Sequence, residues 1–283
     1  MIRTQDRHKF CNARTRTAVS SFMKLFFLLA LLAAQSRVAL AREPVPMNLT
    51  VDGVAREALV FPPTNLATKA PVVFAFHGHG GNAQLCAQGM DFQDEWPEAL
   101  VVYMQGLPTP SLRQAAEPGL RPGWQHHPGE LGDRDLKFFD ALLATLRQKY
   151  PVDDRRIYAT GFSNGGHFSY LLWSKRPQVF AAFAPGAGII LSTFQLSEPK
   201  PVLHYAGRAD RLVPFERQEQ TIAEARRLNG CSDQGEACGL GCTLYRSSKG
   251  APVETFIHPG GHLFPPAVGP LIVKFFKEHS RNP

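Results

Sequence analysis

The chain has no apolar run long enough to cross a bilayer. Its longest, residues 25–34, holds about ten residues where a membrane-spanning helix takes roughly 20. It also lacks internal repeats and low-complexity segments. With 44% hydrophobic and 19% charged residues its composition excludes the disordered, collagen-like and coiled-coil classes. Cysteine is scarce, five in 283 residues, and no spacing among them matches a standard zinc pattern.

A surplus of one charge is missing too, once the N-terminus is set aside. Lys24 precedes the apolar run and Ala39, Leu40 and Ala41 follow it, the arrangement of a secretory signal peptide cleaved near Ala41. Residues 1–41 are therefore read as a leader, with Met23 as an alternative start, and residues 42–283 as a single catalytic domain. The leader holds seven of the 31 Lys and Arg but one of the 24 Asp and Glu, so the remainder carries 24 basic against 23 acidic residues. The formal net charge of +7 thus gives no reason to expect a nucleic-acid partner. A secreted or periplasmic protein with no stable membrane anchor is expected. Cys86, Cys231, Cys238 and Cys242 remain after the leader, and an even number in an exported chain predicts two disulfides, with all three pairings open.

What is present is an alternation of short apolar strands and amphipathic helices. Segments 47–51 and 57–61 read as strands flanking the hairpin signal Asp52–Gly53; 71–76 and 99–104 read as strands buried on both faces, with a helix over 83–98 between them. Residues 105–131, rich in Pro and Gly, show little periodicity and form a candidate substrate-binding insertion. A helix then opens at Asp133 or Asp135, with Phe138, Phe139, Leu142, Leu143 and Leu146 on one face. Strands at 156–160, 180–183, 201–205 and 254–258 and helices at 165–175, 216–228 and 269–279 complete the series. Such alternation predicts an α/β protein with a mostly parallel central sheet flanked by helices on both faces.

Chemistry concentrates at Gly161, Phe162, Ser163, Asn164, Gly165. A serine between a strand and a helix, with glycines two positions to either side, fits a turn too tight for side chains there, which lifts the hydroxyl to a helix N-terminus. A serine hydroxyl needs a base, and imidazole serves near neutral pH. Asp210 follows a predicted strand and His262 lies in a glycine-rich loop after the last one, so Ser163, Asp210 and His262 arrive in the order this chemistry uses. His262 is preferred to His258, which falls at a strand end. The backbone N–H groups of Asn164 and His79, the latter in the loop 77–81, are candidate oxyanion donors. Trp124 is either a pocket wall or a packing anchor; His126 and His127 are expected to be solvated. No metal and no cofactor are called for.

These residues carry a resemblance. Segments 101–106, 132–135, 150–156, 161–166 and 260–265 resemble the secreted polyhydroxybutyrate depolymerase and feruloyl esterase group of α/β-hydrolases, over nearly all of residues 47–279. The resemblance implies the α/β-hydrolase fold, hydrolysis of carboxylic esters by Ser163, Asp210 and His262, and a substrate that is a small ester, a polyester or an esterified polysaccharide. Phe264 stands where many members carry Trp, and with Phe162 and Trp124 it is expected to border the substrate. A serine peptidase on the same scaffold and a non-catalytic ligand-binding homologue are the competing readings.

Overall fold

The computed structural model describes residues 42–281 apart from 114 and 117; the leader lies outside the described residues. Two strands, β1 (Val45–Val51) and β2 (Val54–Phe61), pair antiparallel. Asp52 and Gly53 both take positive φ, 49° and 77°, the geometry a two-residue hairpin demands. β3 (Ala70–Phe76) and β4 (Leu100–Met104) are buried along their whole length, as strands covered on both faces must be. The helix expected over 83–98 is broken. α1 (Ala83–Met90) stops at Asp91, whose φ of 52° ends the helix, and a single turn, α2 (Phe92–Glu95), follows.

The candidate insertion also has more order than its sequence suggests. β5 (Leu107–Pro110) and β6 (Leu120–Gly123) form a separate two-stranded ribbon in which Pro108 faces Pro122. A ribbon without further neighbours leaves room for residues that cannot donate. Beyond it run α3 (Arg134–Lys149), β7 (Val152–Phe162), α4 (Asn164–Lys175), β8 (Ala182–Gly186), β9 (Val202–Gly207), α5 (Phe215–Asn229), β10 (Glu236–Gly239), β11 (Cys242–Tyr245), β12 (Val253–His258) and α6 (Val268–Lys277).

Ten strands make one sheet in the order β1-β2-β4-β3-β7-β8-β9-β12-β11-β10. The six from β4 to β12 run parallel, and antiparallel pairs close both edges. Alternation along the strands divides the core in two. Val72, Phe74 and Phe76 face a cluster with residues of α3, α4 and α5, whereas Val73 and Ala75 face one with residues of α1, α2 and α6.

Disulfide pairing departs from expectation. Cys238 and Cys242 are bonded across the β10–β11 hairpin, while Cys86 and Cys231 are free. Cys86 belongs to the cluster beneath α1 and Cys231 packs against the opposite cluster, so the sheet separates their sulfurs. With their sulfurs bonded to each other, Cys238 and Cys242 have no free thiol. No helix among the described residues is long and apolar enough to cross a membrane.

One buried ion pair ties the edge hairpin to the insertion. Arg56 of β2 donates to Asp135 at 2.7 Å, with side chains 1% and 0% exposed, and also to the Arg134 carbonyl at 2.9 Å. Asp135 accepts in turn from the Gln125 backbone N–H at 2.8 Å, and the Arg56 guanidinium lies 4.2 Å over the Phe138 ring. Removing one member of such a pair strands a buried charge, which costs about 3–5 kcal/mol. Asp135→Ala should therefore lower unfolding stability in urea by about that amount; a loss under about 1 kcal/mol would show that the pair does not secure this corner.

Candidate active site

The site begins where β7 ends. Ser163 sits at φ 58°, ψ −118° between β7 and α4, a conformation rare for a residue with a side chain and diagnostic of a strained functional turn. Space allows nothing else around it. A Cβ on Gly161 would lie 2.4 Å from the Gly165 carbonyl oxygen, and one on Gly165 would lie 2.2 Å from that of Phe76. Register supports the turn, since Phe76 of β3 pairs with Gly161 and the Ser163 N–H donates to Gly186 of β8 at 2.9 Å. β8 lies later than the expected 180–183, and its last residue supplies that carbonyl.

Asp210 and His262 come from the loops after β9 and β12. The His262 Nδ1–H donates to Asp210 Oδ2 at 2.7 Å, and the carboxylate side chain is fully buried. Because Nδ1 carries this proton, Nε2 of a neutral ring is left with its lone pair free to accept one. Asp210 is also held by the N–H groups of Leu212 and Val213 at 2.9 and 3.0 Å and by the Gln218 amide at 3.3 Å. Behind Gln218 a buried chain runs in one direction: the Tyr170 hydroxyl donates to His204 Nδ1 at 2.7 Å, and His204 Nε2–H donates to Gln218 Oε1 at 3.1 Å. Burial holds His204 neutral, its pKa lowered to about 4. His258 instead accepts from the Gly260 N–H at 3.1 Å.

A cavity of about 370 Å³ is lined by Ser163, His262, His79, Asn164 and Phe162, together with Leu212, Ile189, Arg121 and Arg217. Asn164 is the first residue of α4, so its N–H has no acceptor within the helix. In the facing loop, the N–H groups of Gly80 and Gly81 are taken by the Pro122 and Gly78 carbonyls. The His79 side chain bonds the Thr109 carbonyl at 2.9 Å. Phe162 leans on the His262 ring, with centroids 4.7 Å apart, and Phe264 meets Tyr205 edge-on at 5.5 Å.

Trp124 resolves as an anchor. It is fully buried, donates from Nε1 to the His77 carbonyl at 2.9 Å, and packs against Phe76 and Phe168. Its backbone is clasped by the Asn164 side chain, which accepts from Trp124 N–H at 2.7 Å and donates to its carbonyl at 3.0 Å. The insertion is thereby fastened to the residue after the serine. The expectation of a solvated His126 is corrected: it is 4% exposed, lines the cavity and bonds Glu130. Although burial opposes its ionisation, Glu130 is drawn down to about 2 by hydrogen bonds and charge from His126 and His127.

His167 was overlooked. It lies one helical turn after Ser163, lines the cavity, and donates from Nδ1 to the Ser163 carbonyl at 2.7 Å; burial lowers its pKa to about 4. Its spacing of four from the serine was the available signal. Gln218 had no signal beyond its place in a predicted helix.

A serine raised on a strand-to-helix turn of a mostly parallel sheet, with a hydrogen-bonded Asp–His pair on later loops, is the arrangement of the α/β-hydrolase fold. The model of the prolyl oligopeptidase family matches residues 123–204. "Probable feruloyl esterase C" of Aspergillus niger is 30% identical over 199 residues, covering 68% of this chain and 69% of that one. The bifunctional acetylxylan esterase/xylanase of Neocallimastix patriciarum is 25% identical over 187 residues; the match takes in 65% of this chain and 26% of that longer protein. The acetyl xylan esterase structure from Aspergillus awamori superposes with a TM-score of 0.58 at 14% identity, over 82% of this chain and 99% of that one, a likeness of fold. The chain belongs to the feruloyl esterase family of α/β-hydrolases, hydrolases of carboxylic esters.

Asp210→Asn would keep the shape of the carboxylate while favouring the wrong imidazole tautomer. Ester turnover should fall about 10⁴-fold, as in comparable triads. A fall below about tenfold would deny Asp210 its orienting part.

Proposed function

We propose that the protein is a secreted serine carboxylesterase acting through an acyl-enzyme on Ser163, with His262 as base and Asp210 as its orienting carboxylate. The observation that carries this reading is the buried Asp210–His262 hydrogen bond of 2.7 Å opening on the same cavity as Ser163. Ser163 Oγ attacks the ester carbonyl carbon while His262 Nε2 takes its proton. The negative charge that develops on the carbonyl oxygen is met by the N–H groups of Asn164 and His79. Preorganised donors of this kind are each worth about 3 kcal/mol of barrier. The tetrahedral intermediate collapses by expelling the alcohol, which leaves with the proton from His262. Water, deprotonated by the same imidazole, then releases the acid and restores the serine.

Among the substrates the resemblance implies, hydroxycinnamoyl and short acyl esters of carbohydrate alcohols are favoured over polyhydroxyalkanoates. The matched relatives named above carry feruloyl and acetylxylan esterase names, and the cavity wall bearing His126, His167, Arg121 and Arg217 suits a hydroxylated alcohol. The chemistry needs no cofactor. The partial match to a peptidase family makes a peptide panel the proper control, because a triad serves ester and amide bonds alike.

Ser163→Ala should lower hydrolysis of a p-nitrophenyl ester about 10⁵-fold or more, and wild type should react with a fluorophosphonate probe. Near-normal turnover by the variant would remove Ser163 from the mechanism, and preferential cleavage of the peptide panel would replace the esterase reading with the peptidase one.

A further inference from the structure

Two buried histidines share the cavity with Ser163 and take no part in the triad. His167 of α4 and His126 of the insertion are each 4% exposed, and both line the cavity that holds Ser163 and His262. They reach it from different directions. His167 lies one helical turn after the serine, and His126 stands two residues beyond Trp124, whose backbone Asn164 clasps.

Each ring is tied through Nδ1. The His167 Nδ1–H donates to the Ser163 carbonyl at 2.7 Å, and the His126 Nδ1–H donates to Glu130 Oε1 at 3.3 Å. A carbonyl and an ionised carboxylate only accept, so both rings hold a proton on Nδ1. Neither Nε2 has a hydrogen-bond partner among the described residues, and neither is sealed from solvent. Both therefore open on the cavity. Buried polar groups are as a rule paired within the protein, and a side chain buried only to fill space needs no free nitrogen. Two such nitrogens in one cavity point to a ligand.

The chemistry of that ligand follows from the rings. Burial, helped by repulsion from His126, Arg217 and His262, lowers the pKa of His167 to about 4. Near neutral pH its Nε2 is thus an uncharged acceptor, and the group that fits it is a hydroxyl. The leaving oxygen takes its proton from His262, so the alcohol lies on that side of Ser163, and His262 is near enough to act on the charge of His167. We propose that His126 and His167 form a hydroxyl-binding subsite for the leaving alcohol, selecting esters in which the carbons beside the scissile C–O bond carry free hydroxyls, as in a polyol. The subsite rests on the esterase reading given above.

Two esters with one acyl group isolate the alcohol side: 2,3-dihydroxypropyl acetate and 2-methylbutyl acetate, in which methyl groups replace both hydroxyls. Wild type should favour the dihydroxypropyl ester about tenfold or more in kcat/KM. His167→Phe and His126→Phe, which keep a ring but no nitrogen, should each cut that preference about fivefold or more. His167→Gln, with an amide oxygen that can take the place of Nε2, should restore most of it. Thermal unfolding checks that the variants are folded. Equal losses on both esters, or a preference that neither substitution moves, would overturn the subsite. A wild-type enzyme that reacts with fluorophosphonate yet cleaves the two esters equally, or cleaves neither, would also overturn it and leave the esterase reading intact. A wild-type enzyme inert to both esters and to fluorophosphonate would overturn the esterase reading and the subsite with it.

Discussion

The contact on which the rest depends is the approach of α4 to the ends of β3 and β7. The backbone at Gly165 comes so near Phe76 that a single added carbon would stand 2.2 Å from a carbonyl oxygen. That approach forces Ser163 to φ 58° and presents its hydroxyl at the N-terminus of α4, where unpaired N–H groups and the helix dipole favour developing negative charge. Strain of this kind costs about 1–3 kcal/mol and persists because β3 and β8 both grip the turn, through the Phe76–Gly161 register and the Ser163 N–H bond to Gly186. The parallel strands are thus the rigid mount for a strained serine.

Around that mount the structure adds two fasteners. Asn164 clasps both backbone groups of Trp124, and Arg56 with Asp135 holds Gln125 next to it. Between them they turn a proline- and glycine-rich segment into one wall of the cavity. The third element, the Tyr170–His204–Gln218–Asp210 chain, points every donor at one carboxylate. A buried carboxylate with its oxygens occupied by donors is held in one orientation, and so fixes the ring of His262 that faces the cavity.

Much of this was legible in the residues. Strands 71–76 and 99–104 announce themselves because both faces are buried, which removes polar alternation; the Asp52–Gly53 turn and the glycines around Ser163 are demanded by backbone geometry. Less was legible where long-range packing decides. Nothing local distinguishes Trp124 as an anchor from Trp124 as a pocket wall. The β10–β11 hairpin is four residues to a strand, too short to stand out, and its disulfide could not be told from the other pairings until the sheet separated Cys86 from Cys231. His126 looked solvated because its hydrogen-bond partner Glu130 lies outside the periodic segments.

The central claim is that the reaction passes through an ester of Ser163. Rapid quenching of the enzyme with p-nitrophenyl ferulate, followed by intact-mass measurement and peptide mapping, tests it most directly. The account predicts one added feruloyl group per chain, on the peptide containing Ser163; hydrolysis proceeding with no adduct, or with the adduct on another residue, would contradict it.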